Sequence, residues 1–233
     1  MEKKIIGIIG GMGPEAAAHL FLKIIHHTQA QRDQDHFHVI MDSNPQVPDR
    51  TAFILEGGES PVPAITAMGE TLQNSGARVA GMACITAHYF IEEIRQNLTL
   101  PLLDALEETA RHVSQHHPSI ERVGILATSG TVSTRLFEKY LKAQILYPED
   151  QPRVMEAIYG TGGIKSGGKE EPRRPLLQSA AELKERGAQL FIAGCTEIPL
   201  VLENPLLSLP LLDPMDLLAQ ALIREIGKRE DSR

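Results

Sequence analysis

The sequence predicts an α/β fold made of two similar domains, each with its own parallel sheet, and a site in the cleft between them. The main observation is an internal repeat in the 233 residues: segments 75–88 and 186–199 align without gaps, and each contains one of the two cysteines, Cys84 and Cys195. An earlier pair of segments, each an apolar run followed by a glycine-containing turn, repeats in the same order, which indicates a duplicated fold. Apolar runs also alternate with helical patterns, as they do in parallel sheets.

The first half of the chain follows this alternation from its start. The continuous apolar run 5–9 predicts a strand buried on both faces. Glycines in 10–13 predict a tight turn, and Pro14 suits the beginning of a helix that ends near Gln29. The other elements predicted here are strand 37–41, helix 64–74, strand 78–83, a helix after Cys84 to about Glu93, strand 102–103, and a helix capped by Asp104 that ends near Gln115.

The second half is predicted to repeat the pattern. Its elements are a strand within 122–130, helix 132–143, helix 175–186, strand 190–193 before Cys195, strand 209–212, and helix 215–228 capped by Asp213 and Pro214. We therefore predict a first domain of residues 1–103 plus 213–233 and a second domain of residues 104–212. Segments 43–51 and 160–168 fit no regular element and are predicted to be loops, which is where α/β proteins place functional groups.

The composition argues against several classes of function. Aromatic residues make up 4% of the chain, Trp is absent and the formal charge is −7, which disfavours a nucleic-acid or anionic-membrane surface. The apolar run 5–9 is too short for a signal peptide or a membrane span. Two cysteines do not form a disulfide framework, so we expect free thiols and a cytoplasmic protein. The histidine pairs stand among polar residues, and we expect no metal site.

The two cysteines carry the chemistry that the sequence suggests. Cys84 and Cys195 each follow a buried strand and are expected near a helix N-terminus, where free N–H groups favour the thiolate. A thiolate on one face of a carbon atom and a thiol on the other can remove an α-proton and return a proton from the opposite side. This inverts a stereocentre, and a duplicated fold supplies the two groups. Alternatively, both cysteines are small buried hydrophobic residues.

Five motifs along the whole chain resemble those of the PLP-independent aspartate/glutamate racemase superfamily, and within it most closely the aspartate racemases. They are GGMGP (10–14), NPQVPDRT (44–51), CITAH (84–88), GIKSG (163–167) and GCTEIPL (194–200). The resemblance implies two Rossmann-like halves related by a pseudo-two-fold axis, with the cysteines as catalytic acid and base. It also implies a homodimer that needs no cofactor. Glutamate racemases carry His where this chain has Glu197, which favours the aspartate branch.

The resemblance also implies roles for residues of the two irregular loops and the first glycine turn. Arg50 and Lys165 match positions that are associated with the distal carboxylate of the substrate, and an Arg fork suits a carboxylate. Lys165 stands on a glycine-rich loop that could close over the ligand. Met12 is expected to line the floor of the site. Asn44 is a candidate contact to the amino or carboxylate group, although Asn before Pro is also a turn former.

Residues beside the cysteines complete the candidate substrate site. Thr86 and Thr196 could bind the α-carboxylate through hydroxyl and backbone N–H groups, or serve as ordinary helix caps. Glu197 is included because it takes the place of the His of glutamate racemases. Ile85 departs from the family, whose members usually have Asn there to help bind the substrate carboxylate, and Ile85 can donate no side-chain hydrogen bond.

These observations predict cofactor-independent racemisation of an acidic amino acid, with aspartate favoured, by proton transfer through Cys84 and Cys195. Two alternatives use the same cysteine pair: a broad-specificity amino-acid racemase and an isomerase of a dicarboxylate. A third possibility, which Ile85 keeps open, is a catalytically weak relative that binds dicarboxylates.

Overall fold

The computed structural model describes residues 4–228. Residues 1–3 and 229–233, which belong to the predicted first domain, lie outside the described residues. Two four-stranded parallel sheets have the same strand order, which confirms the predicted fold class: β2-β1-β3-β4 and β6-β5-β7-β8. The first sheet contains β1 (Ile5–Gly10), β2 (His38–Ser43), β3 (Val79–Met82) and β4 (Leu102–Leu103). The second contains β5 (Arg122–Ala127), β6 (Gln144–Leu146), β7 (Leu190–Gly194) and β8 (Leu211–Leu212).

Helices connect the strands and cover the sheets. In chain order they are α1 (Pro14–His27), α2 (Arg50–Glu56), α3 (Val62–Asn74), α4 (Ile91–Gln96), α5 (Ala105–His116), α6 (Ser129–Ser133), α7 (Gln151–Tyr159), α8 (Glu170–Glu185) and α9 (Pro214–Lys228). The last helix, α9, packs on α1 and β3 of the first domain and on α5, which begins just after the predicted domain boundary. Within residues 4–228, no helix is long and apolar enough to cross a membrane.

The strands bury side chains on both faces. A central cluster takes side chains from both sheets, among them Ile6 and Ile8 of β1 and Val123 and Ile125 of β5. The alternate residues of the same strands point away from this cluster into a separate outer core on each half. Burial on both faces explains why these strands are continuous apolar runs in the sequence. Residues that follow β3 and β7 line a common cavity, so the carboxyl ends of the two sheets face one region.

The predicted helix 132–143 is wrong. Helix α6 ends at Ser133, and only a short 3₁₀ turn, Phe137–Lys139, follows before β6. Two features end the helix: the Thr134 hydroxyl donates to the carbonyl of Gly130 at 2.9 Å, and Arg135 adopts φ 49°. A hydroxyl bonded back to the preceding turn and a residue in the left-handed region both interrupt the helical ladder.

Three elements were not predicted from the sequence. Strand β6 and helix α7 occupy a stretch for which no element was predicted. Helix α2 begins at Arg50, inside the segment expected to be a loop, because the Asp49 carboxylate accepts a hydrogen bond from the Ala52 N–H at 2.8 Å and so caps it. Arg50 therefore stands on the first turn of a helix rather than in an irregular loop.

Candidate active site

The two cysteines line one small cavity between the two halves of the chain. Cys84 follows β3 and Cys195 follows β7, and each is 5% exposed. The cavity has a volume of ≈ 10 Å³, which is about the space of a single water molecule. The internal repeat thus brings its two equivalent cysteines to a common, closed space.

A larger cleft of ≈ 360 Å³ lies beside the cavity and opens outward. Five residues line both spaces and therefore form the wall between them: Met12, Arg50, Tyr159, Lys165 and Glu197. Most of this wall is polar, and its charged groups come from both halves of the chain. A ligand that enters from the cleft meets these side chains before it meets the cysteines.

Short 3₁₀ turns, rather than α-helices, follow both cysteines. The turn after Cys84 is Thr86–Phe90, and α4 begins only at Ile91. The turn after Cys195 is Ile198–Leu200. The expectation of an α-helix N-terminus is therefore wrong for Cys195, whose following segment is only this short turn. Cys84 stands two residues before a 3₁₀ turn that continues directly into α4.

Arg50 is buried, and its guanidinium is largely held by backbone carbonyls. Its Nη1 donates to Val47 O at 3.2 Å and to Pro48 O at 3.0 Å, and its Nη2 to Met12 O at 3.5 Å. Its buried Nε has no hydrogen-bond partner among the described residues. Burial lowers the pKa of Arg50, but the neighbouring Cys84, Tyr159 and Asp49 outweigh it, so the pKa is raised and the group stays cationic.

Lys165 and Glu197 form an ion pair in the wall. Lys165 Nζ lies 2.6 Å from Glu197 Oε1 and donates to Met12 O at 3.3 Å. Burial opposes the charge on both groups, but their attraction outweighs it: the pKa of Lys165 is raised and the pKa of Glu197 is lowered. Both groups are therefore ionised at neutral pH, and Glu197 neutralises one of the two expected substrate cations.

Cys195 is hydrogen-bonded to the same carboxylate. Its Sγ donates to Glu197 Oε2 at 2.9 Å. Burial and the negative charge of Glu197 raise the pKa of this thiol well above its ordinary value, although Lys165 acts in the opposite direction. The sequence-based expectation of a lowered thiol pKa is thus wrong for Cys195, since the neighbouring carboxylate stabilises the protonated form.

Both threonines beside the cysteines are buried and bonded to protein groups. Thr86 Oγ1 lies 2.9 Å from the hydroxyl of Thr128 and 3.1 Å from that of Thr131, both from the second half. Thr196 Oγ1 donates to Glu197 Oε2 at 3.0 Å. The Thr86 hydroxyl joins the two halves, whereas the Thr196 hydroxyl bonds its neighbour within the second half. With both hydroxyls engaged, the backbone N–H groups are the other means of binding a carboxylate.

The remaining predicted residues differ in their placement. Met12 lines the cavity and the cleft, and its carbonyl accepts from Arg50 and Lys165. Ile85 lines the cavity while it also packs in the central core. Asn44 lines neither space; its Oδ1 accepts from the Gln46 N–H at 2.9 Å, which is the turn-forming role.

Tyr159 is a site residue that sequence reasoning missed. It ends α7, lines both the cleft and the cavity, and lies with its ring 5.3 Å from Lys165 Nζ. Its hydroxyl lies 3.5 Å from Asp49 Oδ2, across the cleft. The one signal in the sequence was its position directly before the glycine-rich segment that contains Lys165. Among residues 4–228 no group of three or more His, Cys, Asp or Glu is arranged to hold a metal ion.

Two duplicated parallel α/β halves, with a cysteine from each half and two cations around one internal cavity, form the kind of site that an α/β enzyme with two acid/base cysteines requires. The model of the Asp/Glu/hydantoin racemase family matches residues 9–222, and the chain belongs to this family. This membership confirms the superfamily and the class of enzyme that the five motifs indicated.

Relatives of known sequence or structure agree with this assignment. A broad specificity amino-acid racemase of Bacillus subtilis (strain 168) is 26% identical over 229 residues, which are 94% of this chain and 96% of that protein. The structure of an aspartate racemase of Picrophilus torridus superimposes with a TM-score of 0.84 at 29% identity and covers 96% of this chain and 94% of its own. A putative Asp/Glu racemase of Yersinia pestis gives a TM-score of 0.77 at 26% identity, with 96% and 99% covered.

Proposed function

We propose that this protein racemises an acidic amino acid, with aspartate preferred, by proton transfer at Cα between Cys84 and Cys195 and without a cofactor. The observation that carries the proposal is the single cavity lined by one cysteine from each half of the duplicated fold. A pair of acid/base groups on opposite sides of one small space is what inversion of a stereocentre requires.

Each catalytic cycle moves one proton off the substrate and one proton onto it. The thiolate of one cysteine takes the α-proton and becomes a thiol, and the electron pair of the C–H bond is delocalised into the α-carboxylate. The thiol of the other cysteine then gives its proton to the opposite face of Cα and becomes a thiolate. The reverse reaction uses the same groups in exchanged roles, so atoms and charge balance without an added reagent.

The wall between cleft and cavity supports a dicarboxylate substrate. Arg50 offers a buried Nε–H without a partner among the described residues, and Lys165 has three ammonium protons of which protein acceptors take two. Both residues line the space next to the cysteines. We propose that they bind the distal carboxylate, while the backbone N–H groups after the cysteines bind the α-carboxylate. The similarity to a protein named aspartate racemase supports the same choice.

A broad-specificity amino-acid racemase is the second candidate. The observation that favours it is the Lys165–Glu197 pair, because neutralisation of Lys165 leaves Arg50 as the one cation of the described wall without a carboxylate ion-pair partner. Ile85 adds an apolar surface to the cavity. The similarity to a Bacillus subtilis protein of that name supports this candidate as well.

Deuterium exchange at Cα separates these candidates. The pure protein is incubated in D₂O, without PLP, with L-aspartate, L-glutamate or L-alanine, and the α-proton signal is followed by NMR with chiral chromatography of the product. If aspartate is preferred, its α-proton should exchange faster than those of glutamate and alanine, and this exchange should be lost in Arg50→Ala. Similar exchange rates for all three substrates would establish broad specificity. Cys84→Ser and Cys195→Ser should each abolish inversion; wild-type inversion in both would overturn the two-cysteine mechanism.

Two other results would identify a different function for the same cavity. Conversion of the alkene proton signal of maleate into that of its trans isomer would identify a dicarboxylate isomerase. Tight binding of a dicarboxylate in calorimetry without any α-proton exchange would identify a binding protein.

We further propose that the protein is a homodimer, as the family resemblance implies, and that it is cytoplasmic, as its two free cysteines suggest. One chain has a mass of 25.6 kDa, so a dimer of 2 × 25.6 = 51.2 kDa is expected in sedimentation. A species of one chain mass at micromolar concentration would contradict the dimer. Detection in a membrane or secreted fraction after cell fractionation would contradict the location.

A further inference from the structure

Glu197 is the most heavily engaged side chain of the site. Its Oε1 accepts from Lys165 Nζ at 2.6 Å and from the Gly13 N–H at 3.0 Å. Its Oε2 accepts from Cys195 Sγ at 2.9 Å and from Thr196 Oγ1 at 3.0 Å. A carboxylate has about four acceptor positions, and all four are filled by protein donors. Glu197 is 3% exposed and so has no acceptor left for a substrate ammonium group.

The partners of Glu197 belong to different parts of the proposed machinery. Oε1 holds a substrate cation, and Oε2 holds one of the two acid/base thiols. Gly13, which belongs to the first half, approaches so closely that a Cβ there would lie 3.1 Å from Oε1. One rigid carboxylate therefore connects the two halves, the cation and the thiol.

We infer that Glu197 is a positioning residue that couples Lys165 to Cys195. How strongly the substrate-binding Lys165 pairs with Glu197 controls how firmly Cys195 holds its proton. This inference rests on the proposed function and corrects the expectation that Glu197 binds substrate directly. When Lys165 turns part of its charge to a distal carboxylate, Glu197 is neutralised less and keeps Cys195 protonated. Substrate binding thereby favours the thiol form of Cys195, which donates its proton in one direction of the reaction; in the other direction Cys195 must act as the thiolate.

Other charged or titratable groups also face Cys195. Lys165 and Tyr159 lie on the second half, and Cys84 and Arg50 line the same cavity from the first half. Glu197 and Thr196 belong to the same short turn as Cys195. Because Glu197 touches the sulfur directly, removal of its charge should change Cys195 much more than Cys84.

Thiol alkylation tests this coupling without reference to activity. The rate of iodoacetamide labelling of each cysteine is measured against pH by peptide mass spectrometry in the full-length protein. In Glu197→Gln the midpoint of Cys195 labelling should fall by about one pH unit or more, since the neighbouring negative charge is lost and Lys165 is no longer neutralised. Cys84 in the same sample is the internal control. Glu138→Gln, a carboxylate of the second half bonded to Tyr147 and Arg135, is the matched control.

A second variant keeps the inference falsifiable if Glu197→Gln does not fold. Lys165→Met should move the midpoint of Cys195 labelling in the opposite direction, upward, because it removes the opposing cation. Glu197→Asp keeps the charge and should restore most of the wild-type midpoint. Equal shifts of both cysteines, or no shift of Cys195 in either variant, would overturn the coupling.

Kinetics supply a readout that a purely structural role would not move. The alkaline limb of the pH profile of kcat/KM should shift to lower pH in Glu197→Gln by the same amount as the labelling midpoint. A structural defect alone would lower kcat/KM at every pH and leave the limb in place, which would contradict the inference. If no substrate is racemised, the proposed function fails, while the labelling result still decides whether Glu197 controls Cys195.

Discussion

Replacement of Lys165 by Met should destabilise the protein through Glu197. The side chain of Glu197 is 4% exposed and that of Lys165 is 19% exposed, and their charged atoms lie 2.6 Å apart. Methionine fills a similar volume but cannot neutralise the carboxylate. The substitution therefore leaves a buried negative charge whose remaining partners are the N–H of Gly13, the thiol of Cys195 and the hydroxyl of Thr196.

The size of the effect follows from the burial of the pair. Removal of one partner of a buried ion pair costs about 3–5 kcal/mol. We expect about 3 kcal/mol, since part of Lys165 is exposed and three hydrogen bonds still reach Glu197. For a chain of this length that corresponds to a decrease in Tm of about 6–12 °C. In the double variant Lys165→Met/Glu197→Gln the loss should be smaller than the sum of the two single losses by about 2 kcal/mol, because the two residues are in contact.

The effect should depend on pH in a defined way. In the folded wild-type protein the pKa of Glu197 is lowered below its ordinary value of 4.5. A lowered carboxyl pKa stabilises the fold above the unfolded pKa, and this contribution is lost as the pH falls through the folded value. In Lys165→Met burial raises the pKa of Glu197, so acid relieves its penalty. The difference between the two proteins should be largest near pH 7. It should begin to shrink above pH 4.5, as the raised pKa of Glu197 in the variant is passed, and continue to shrink below pH 4.5 as the wild-type contribution is lost.

Urea unfolding at a series of pH values measures this difference. Lys169→Met is the matched control, because Lys169 is more exposed and pairs with Glu15 at the surface. That control should lose less than about 1 kcal/mol. A loss below about 1 kcal/mol for Lys165→Met at pH 7, or a loss of the same size at about pH 4 and pH 7, would refute the reasoning.

Three single contacts give further expected outcomes. Thr86→Val removes two buried hydroxyl contacts between the halves and should cost about 1–3 kcal/mol in urea unfolding, whereas an unchanged midpoint would contradict a bonding role. Gly11→Ala should prevent soluble expression or cost more than about 3 kcal/mol, since φ is 90° and a Cβ would overlap the backbone of Asn44; wild-type stability would show that this turn can shift. Tyr159→Phe should change the free energy of unfolding by less than about 0.5 kcal/mol, because the hydroxyl contact is 3.5 Å long. Tyr159→Ala should raise KM, because it opens the wall. An equal effect of the two substitutions on KM would instead show that the hydroxyl is the important group.

The duplicated sheets could be predicted because their signal is local and strong. Strands β1 and β5 are buried on both faces and therefore appear as apolar runs, and the glycine turns and cysteines follow at nearly constant spacing. The failure at 132–143 has an equally local cause. A helical apolar pattern continues there, but Arg135 adopts the left-handed region and ends the helix, and the backbone angle of one residue leaves no trace in hydrophobic periodicity.

Most residues that the sequence suggested for the site lie around one cavity, but Asn44 lines neither space, and the connections between the others could not be predicted. Arg50 and Lys165 line the cavity that holds both cysteines, as expected for residues of one site. The pairing of Lys165 with Glu197, and the raised pKa of Cys195 that accompanies it, depend on a contact between distant parts of the chain and on burial that composition does not report. Tyr159 was missed because no element was predicted for the short helix that positions it, and its contact with Lys165 appears only in the folded chain.

In each half, the second residue after the cysteine contacts the other half, and the two residues differ in charge. Thr86 and Glu197 occupy equivalent positions of the repeat, since 197 − 86 = 111 and 195 − 84 = 111. Each bonds the other half beside its first strand, Thr86 to Thr128 and Thr131, and Glu197 to Gly13. The two halves of the repeat thus share this contact between the halves, but one makes it with the neutral Thr86 and the other with the charged Glu197. Two enantiomers must be processed with equal overall efficiency at equilibrium, yet the two faces of the catalyst are free to diverge chemically.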